Sequence, residues 1–175
     1  ETLTETDTET DGGGAPTTVE DENHKALPHF FPEILRRLLF IAPRGFAKST
    51  LCSIFFSLWL ALNGYKRDIF IVSATISLAR ELIRKIRFEL ETNEKLIGDY
   101  GDQKSDKWTE EMLVLRNGAI IRGKGRGFQI RGFRPDIIIC DDLEDEEVIY
   151  SKEQRDKHEA WFFRTLLPSL KPDQS

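Results

Sequence analysis

The amino-acid sequence predicts an α/β fold: a mainly parallel sheet with helices on both faces. Three observations lead there. Short apolar runs, Leu38-Leu39-Phe40-Ile41, Ile69-Phe70-Ile71-Val72 and Ile137-Ile138-Ile139-Cys140, read as strands buried on both faces. Stretches with helical spacing lie between and after them. The loops that follow the strands hold phosphate- and metal-binding residue types, and in such folds these loops converge on one rim of the sheet.

Taken in order, residues 1–26 form an acidic tail. Residues 1–23 are rich in Thr, Glu and Asp and are broken by Gly12-Gly13-Gly14. Too little apolar surface is present there to offset the entropy of ordering, so the tail is expected to be disordered. The body, residues 27–175, opens with the first apolar run. Ser49 to Leu62 reads as an apolar helix that stops at Asn63-Gly64. After the second run, Ala79, Leu82, Ile83, Ile86 and Leu90 fall on one face of an amphipathic helix. Thr92 to Lys107 reads as a polar connection. Met112 to Ile121 reads as a hairpin turning at Asn117-Gly118. Gly123 to Gly132 reads as a basic, glycine-rich loop. The third apolar run ends in acids, and Ser151 to Leu167 reads as a helix whose Ser151 and Gln154 have capping-box spacing.

The net charge of −5 argues at first against a nucleic-acid partner. Its distribution reverses that argument. Residues 1–23 hold eight acids and no Lys or Arg, which leaves 25 bases against 22 acids in the rest, about +3. Two cysteines, Cys52 and Cys140, exclude a disulfide-rich scaffold and a four-cysteine zinc site, and their apolar neighbours suggest buried free thiols. The uncharged stretch from Ser49 to Tyr65 is shorter than the roughly 20 residues of a spanning helix, so a buried helix and no membrane partner are expected.

The loop after the first run reads Ala42-Pro43-Arg44-Gly45-Phe46-Ala47-Lys48-Ser49-Thr50. It fits the phosphate-loop pattern G-x-x-x-x-G-K-[ST] with Ala42 and Ala47 in the two glycine places. Such a loop curls backbone N–H groups around a phosphate with a helix N-terminus behind. Lys48 would reach the β- and γ-phosphates of ATP, and the Ser49 hydroxyl would ligate Mg²⁺. The alternative is a basic turn leading into a core helix. Ala47 weakens the motif if position 47 needs a positive φ.

The acidic strand end has the form of a Walker B strand. Asp141 would hold Mg²⁺, directly or through water, while Asp142 would orient or deprotonate the attacking water. Glu144 is a second candidate base. A solvated acidic loop is the alternative, since Glu144-Asp145-Glu146-Glu147 continues the run. Phosphate loop and acidic strand end together point to a hydrolytic NTPase. Arg122, Lys124, Arg126, Arg131 and Arg134, spaced by glycines, suit phosphate contacts or a solvated loop, and one of them could act as an arginine finger. Ser73-Ala74-Thr75 would contact nucleotide or DNA, or cap a helix. His24, His29 and His158 are scattered and argue for no metal site.

Together these residues resemble the large terminase subunit of tailed bacteriophages and related viruses. The matching features are Ala42 to Thr50, Ser73-Ala74-Thr75, the Asn117-Gly118 hairpin, Ile130-Arg131-Gly132, Arg134 to Glu144, and the helix with Trp161-Phe162. The resemblance covers about residues 27–175. It implies an additional-strand P-loop ATPase that uses ATP and Mg²⁺ to drive double-stranded DNA into a preformed capsid. Catalytic roles would fall on Arg44, Lys48, Asp142 and Glu144. Nucleotide contacts would fall on Pro43, Arg44, Gly45, Phe46, Ala47, Lys48, Ser49 and Thr50, and the metal on Ser49 and Asp141. Implied partners are the portal protein, a small terminase subunit and further copies in a ring, in the cytoplasm of an infected host cell and docked on the procapsid. The family's coupling motif and C-terminal nuclease would lie beyond Ser175, so the chain is expected to be an incomplete ATPase domain whose sheet lacks a strand and has an unpaired edge. A helicase-like translocase, or a nucleotide- or DNA-binding module without turnover, are the alternatives.

Overall fold

The computed structural model describes residues 37–43, 45–144 and 150–171. Of the sequence expectations, the tail over 1–26 and Arg44 lie outside these residues. Two compact units meet in the sequence at Ile41 and Ala42. The described part of the first is residues 37–41, a segment without regular structure. Leu38, Leu39, Phe40 and Ile41 are all exposed. The buried strand expected there does not form. An apolar run becomes a strand only where neighbours satisfy its backbone, and no sheet described here includes it.

The second unit is α/β. Its five strands are β1 (Asp68–Ser73), β2 (Lys104–Trp108), β3 (Met112–Leu115), β4 (Ile120–Gly125) and β5 (Ile137–Cys140). Their order across the sheet is β2-β3-β4-β1-β5. Strand β1 pairs parallel with β4 and with β5, while β2/β3 and β3/β4 are antiparallel. The sheet is therefore mixed and open, where the sequence suggested a mainly parallel one. The difference comes from the hairpin at Asn117-Gly118. It forms as expected, with Gly118 at φ 86°, and its second strand runs on to Gly125 beside β1.

The helices are a π-helical stretch (Ser49–Phe55) continuing into α1 (Phe56–Leu62), then α2 (Ile76–Thr92), α3 (Glu94–Tyr100) and α4 (Lys152–Trp161). After α4 the chain stays helical through a π-helical turn (Phe162–Leu166) and a short 3-10 turn (Leu167–Ser169). Thr75 caps α2, accepting from Leu78 N at 3.3 Å, and Ser151 caps α4, accepting from Gln154 N at 3.4 Å. The stretch read as a polar connection holds α3 and β2. Asn93 starts α3 by accepting from Lys95 N and Leu96 N, and β2 is an exposed edge strand with no apolar alternation to announce it.

Alternation along β1 divides the core. Ile69 and Ile71 face Leu58, Leu60, Leu82, Ile83, Ile86, Leu113 and Ile121, which gathers α1 and α2 on one face of the sheet. Phe70 and Val72 face Ile130 and Leu166, with Phe128, Phe133, Trp161 and Phe162 around them. All five apolar positions read from the α2 periodicity are buried. The first helix is only partly buried, contrary to expectation. Leu51, Phe55 and Trp59, one turn apart, are exposed. Cysteine placement also departs from the sequence reading: Cys52 is half-buried and Cys140 exposed. Cys140 ends β5, which has a partner on one side alone, so the strand read as four buried residues buries only Ile139 fully.

Two glycines of the basic segment belong to β4. A Cβ on Gly125 would stand 2.7 Å from Ile76 N, and one on Gly123 would stand 2.9 Å from Ile83 Cγ1 and 3.2 Å from Ala79 O. They let α2 lie against the strand. Asp136 ties the opposite end of the sheet, accepting from Arg67 N at 2.9 Å, Asp68 N at 2.8 Å and Lys171 Nζ at 2.6 Å. Burial opposes its ionisation, but these three donors outweigh it and hold the carboxyl below the ordinary range. Gly125→Ala is expected to lower unfolding free energy by about 1–3 kcal/mol, because the obstructing atom is backbone. Urea unfolding checks this. A midpoint equal to the parent's would mean that α2 does not approach β4 this closely.

Candidate functional site

The site is assembled where the loop leading into the first helix, with Lys48 and Ser49, meets the end of β5. The strand ladder continues past the formal ends of β1 and β5. Asp141 N donates to Val72 O at 2.9 Å, and Ala74 N donates to Asp142 O at 3.0 Å. The central strand thus holds the backbone of both acids. Both oxygens of Asp141 accept hydroxyl protons from the first helix. Ser49 Oγ donates to Oδ1 at 3.0 Å and Ser53 Oγ donates to Oδ2 at 2.9 Å. The two motifs, 92 residues apart in the chain, are in direct contact.

Ser53 was not singled out by sequence reasoning. Its signal is its position one turn after Ser49 in an uncharged, mainly apolar helix, where a buried hydroxyl needs a partner. Its side chain is buried, and Ser57 Oγ in turn donates to Ser53 O at 2.8 Å.

Lys48 folds back over its own loop. Its Nζ donates to Ala42 O at 2.6 Å and to Pro43 O at 3.2 Å. The loop backbone is unusual at two places. Gly45 has φ 85° and Ala47, in the last glycine place of the pattern, has φ 51°. Position 47 does adopt the left-handed conformation that makes glycine the usual residue there. Leu51 N donates to Ala47 O at 2.9 Å, which joins this residue to the first helical turn. The other non-glycine residue with positive φ is Asp142, at 53°. Both left-handed non-glycine residues among the described ones therefore flank the Ser49–Asp141 contact. Such strain persists only where surrounding structure imposes it, and it concentrates at working sites.

Of the other expected residues, Pro43, Phe46, Thr50, Asp142 and Glu144 are exposed on this rim or its loops. Ser49 and Asp141 are brought together; Glu144 is not part of that contact. Among the basic residues, Arg122 pairs with Asp68 and lies 5.5 Å from the ring centroids of Phe70 and Phe133. It stands beside a half-buried carboxyl whose pKa is raised, burial outweighing the opposing pull of Arg122. Arg131 and Arg134 are exposed. In Ser73-Ala74-Thr75 the helix-cap alternative holds for Thr75. Ser73 Oγ is buried with no partner among the described residues.

The donor set suits Mg²⁺. A hydroxyl and a carboxylate oxygen 3.0 Å apart match neighbouring corners of an octahedron whose metal–oxygen bonds are about 2.0–2.1 Å. Ser49 and Asp141 would hold the ion, and their present hydrogen bond keeps the two oxygens at that spacing.

Comparison with protein-family models and with curated proteins finds no match for this chain. No described helix is long and apolar enough to cross a membrane.

The strain at Ala47 can be measured. Ala47→Gly is expected to stabilise the chain by roughly 1 kcal/mol, since an L-residue with left-handed φ is penalised by about that much. Thermal or urea unfolding reads it. A loss of stability, the ordinary effect of a new glycine, would show that residue 47 is not held at positive φ.

Proposed function

We propose that this chain is the ATPase portion of a DNA-packaging motor of the large-terminase kind, hydrolysing Mg-ATP to move double-stranded DNA. The observation that carries the reading is the contact of Ser49 with Asp141 beside a loop that holds Lys48. A loop lysine and hydroxyl, next to an acid at the end of a parallel strand, is an arrangement that suits phosphoryl transfer from a nucleoside triphosphate.

In this reading Lys48 exchanges its two carbonyl partners for the β- and γ-phosphate oxygens, a stronger charge-assisted pairing. Backbone N–H groups from Gly45 to Ser49 curl around the phosphates. Ser49 and Asp141 would hold the metal ion, which would supply positive charge to offset that of the phosphates. Asp142, fixed in a left-handed backbone conformation and exposed, orients the attacking water and accepts its proton. The water oxygen bonds to the γ-phosphorus as the bond to the β–γ bridging oxygen breaks, and ADP leaves with that electron pair. Glu144 stands two residues on as a second base. The terminase resemblance adds a sensing role for Arg44, and as partners the portal protein, the small terminase subunit and a ring of further copies, on a procapsid in the host cytoplasm.

Calorimetry with Mg-ATP tests the reading. Lys48→Ala is expected to weaken binding by roughly ten- to a hundredfold, the worth of a hydrogen bond to a charged group. Asp142→Asn should retain binding and lose about 10²–10⁴-fold in turnover. A folded chain that binds equally well with and without Lys48, or not at all, would remove the phosphate-loop assignment. Mg-dependent binding with no turnover in the parent would reduce the function to nucleotide binding.

A further inference from the structure

Ser53 lies outside the loop pattern that ends at Ser49, yet it holds half of the acid that the pattern faces. Two successive turns of one helix use the two oxygens of Asp141. Oδ1 accepts from Ser49 at the loop end, 3.0 Å away, and Oδ2 accepts from Ser53 one turn further in, 2.9 Å away. The carboxylate therefore lies along the helix, with one oxygen toward the loop and the other toward the interior. Ser49 and Asp141 are half-buried, whereas Ser53 is 1% exposed.

Three features fix Ser53. It belongs to the π-helical stretch Ser49–Phe55, a winding that is rare and concentrates at functional sites. Its carbonyl is engaged by Ser57 Oγ at 2.8 Å. Its hydroxyl has Asp141 as its partner and no other among the described residues, so turning it away would leave a buried donor unpaired.

Divalent ions differ in what they ask of such a carboxylate. Mg²⁺ demands a near-ideal octahedron with bonds of about 2.0–2.1 Å, whose neighbouring corners lie farther apart than the two oxygens of one carboxylate. It therefore takes one oxygen from each acid. Ca²⁺ takes about 6–8 oxygens at about 2.3–2.6 Å and readily uses both oxygens of one carboxylate. Neighbouring octahedral corners at those bond lengths are about 3.3–3.7 Å apart, wider than the 3.0 Å between Ser49 Oγ and Asp141 Oδ1.

We infer that Ser53 sets the metal preference of this site: by holding Oδ2 it leaves Asp141 one oxygen for the ion, which favours Mg²⁺ over Ca²⁺. Ser53 touches neither ion nor phosphate and is a positioning residue. The inference rests on the reading that Ser49 and Asp141 would hold the metal of a bound nucleotide, and adds which ion they accept.

The test is calorimetry of the full chain with the β,γ-imido analogue of ATP, in EDTA, in Mg²⁺ and in Ca²⁺, so that binding and not turnover is read. In the parent, Mg²⁺ should strengthen binding more than Ca²⁺ does. Ser53→Ala should lower that preference by about tenfold, the worth of a hydrogen bond to a charged group. Ser53→Cys, close to serine in volume and a weak donor, should behave alike and serves if the alanine variant unfolds. Ser53→Thr keeps the hydroxyl and should keep the preference. Ser57→Ala removes a buried hydroxyl that bonds a carbonyl and not Asp141, and should also keep it. A parent that binds equally in EDTA and in Mg²⁺ removes the metal site itself, and this inference with it. A parent that prefers Mg²⁺, with the same preference in Ser53→Ala, overturns the inference and leaves the metal site standing. A parent strengthened equally by both ions overturns it, as does an equal fall in Ser53→Thr or Ser57→Ala, which would be loosening of the helix.

Discussion

Strand β1 has no solvent face, and the rest of the second unit is arranged around that fact. Ile69, Phe70, Ile71 and Val72 are fully buried. Each such side chain contributes roughly 1.5–3 kcal/mol of transfer free energy, as an upper estimate. Because successive residues point to opposite faces, one short strand nucleates two cores. Its backbone is saturated on both edges by parallel partners, β4 and β5. The elements that cover the two faces are those that the two cores require.

The same strand aligns the chemistry. Parallel pairing sends the ends of β1, β4 and β5 to one rim, and ladder bonds beyond the strands carry the alignment into Asp141, Asp142 and Arg126. Asp141 joins this rim to the first helix through two serine hydroxyls. One carboxylate satisfies two serine hydroxyls, one on each oxygen. The left-handed backbone at Ala47 and Asp142 on either side of it is a local cost that this scaffold sustains.

Much of this was legible in the sequence, and for identifiable reasons. The α2 face was readable because five apolar residues at helical spacing have one solution against a sheet. The Asn117-Gly118 turn was readable because a tight hairpin needs positive φ at its centre. Thr75 and Ser151 were readable as caps because their hydroxyls can reach the third residue on. The meeting of Ser49 and Asp141 was readable from pairing the Lys48-Ser49 loop pattern with an acidic strand end, although the run before that loop forms no strand. Strand β2 was hidden, since Lys104–Trp108 is an exposed edge whose side chains report solvent and not a sheet. Glycines 123 and 125 were misread as loop residues because glycine is also the residue that admits a close helix, and spacing does not separate the two uses.

What the sequence determined by itself is whatever depends on near neighbours in the chain: helix faces, caps, the hairpin turn and the phosphate-loop pattern. What only the tertiary structure decided is whatever depends on who stands alongside. Leu38-Leu39-Phe40-Ile41 and Ile69-Phe70-Ile71-Val72 are alike as sequences. One is exposed and irregular, the other fully buried. The difference is the presence of pairing strands, since an apolar run fixes a preference for burial but supplies no hydrogen-bond partners. Ser53 joined the site for the same reason in reverse: its hydroxyl had to be satisfied once buried, and the partner, Asp141, is 88 residues away.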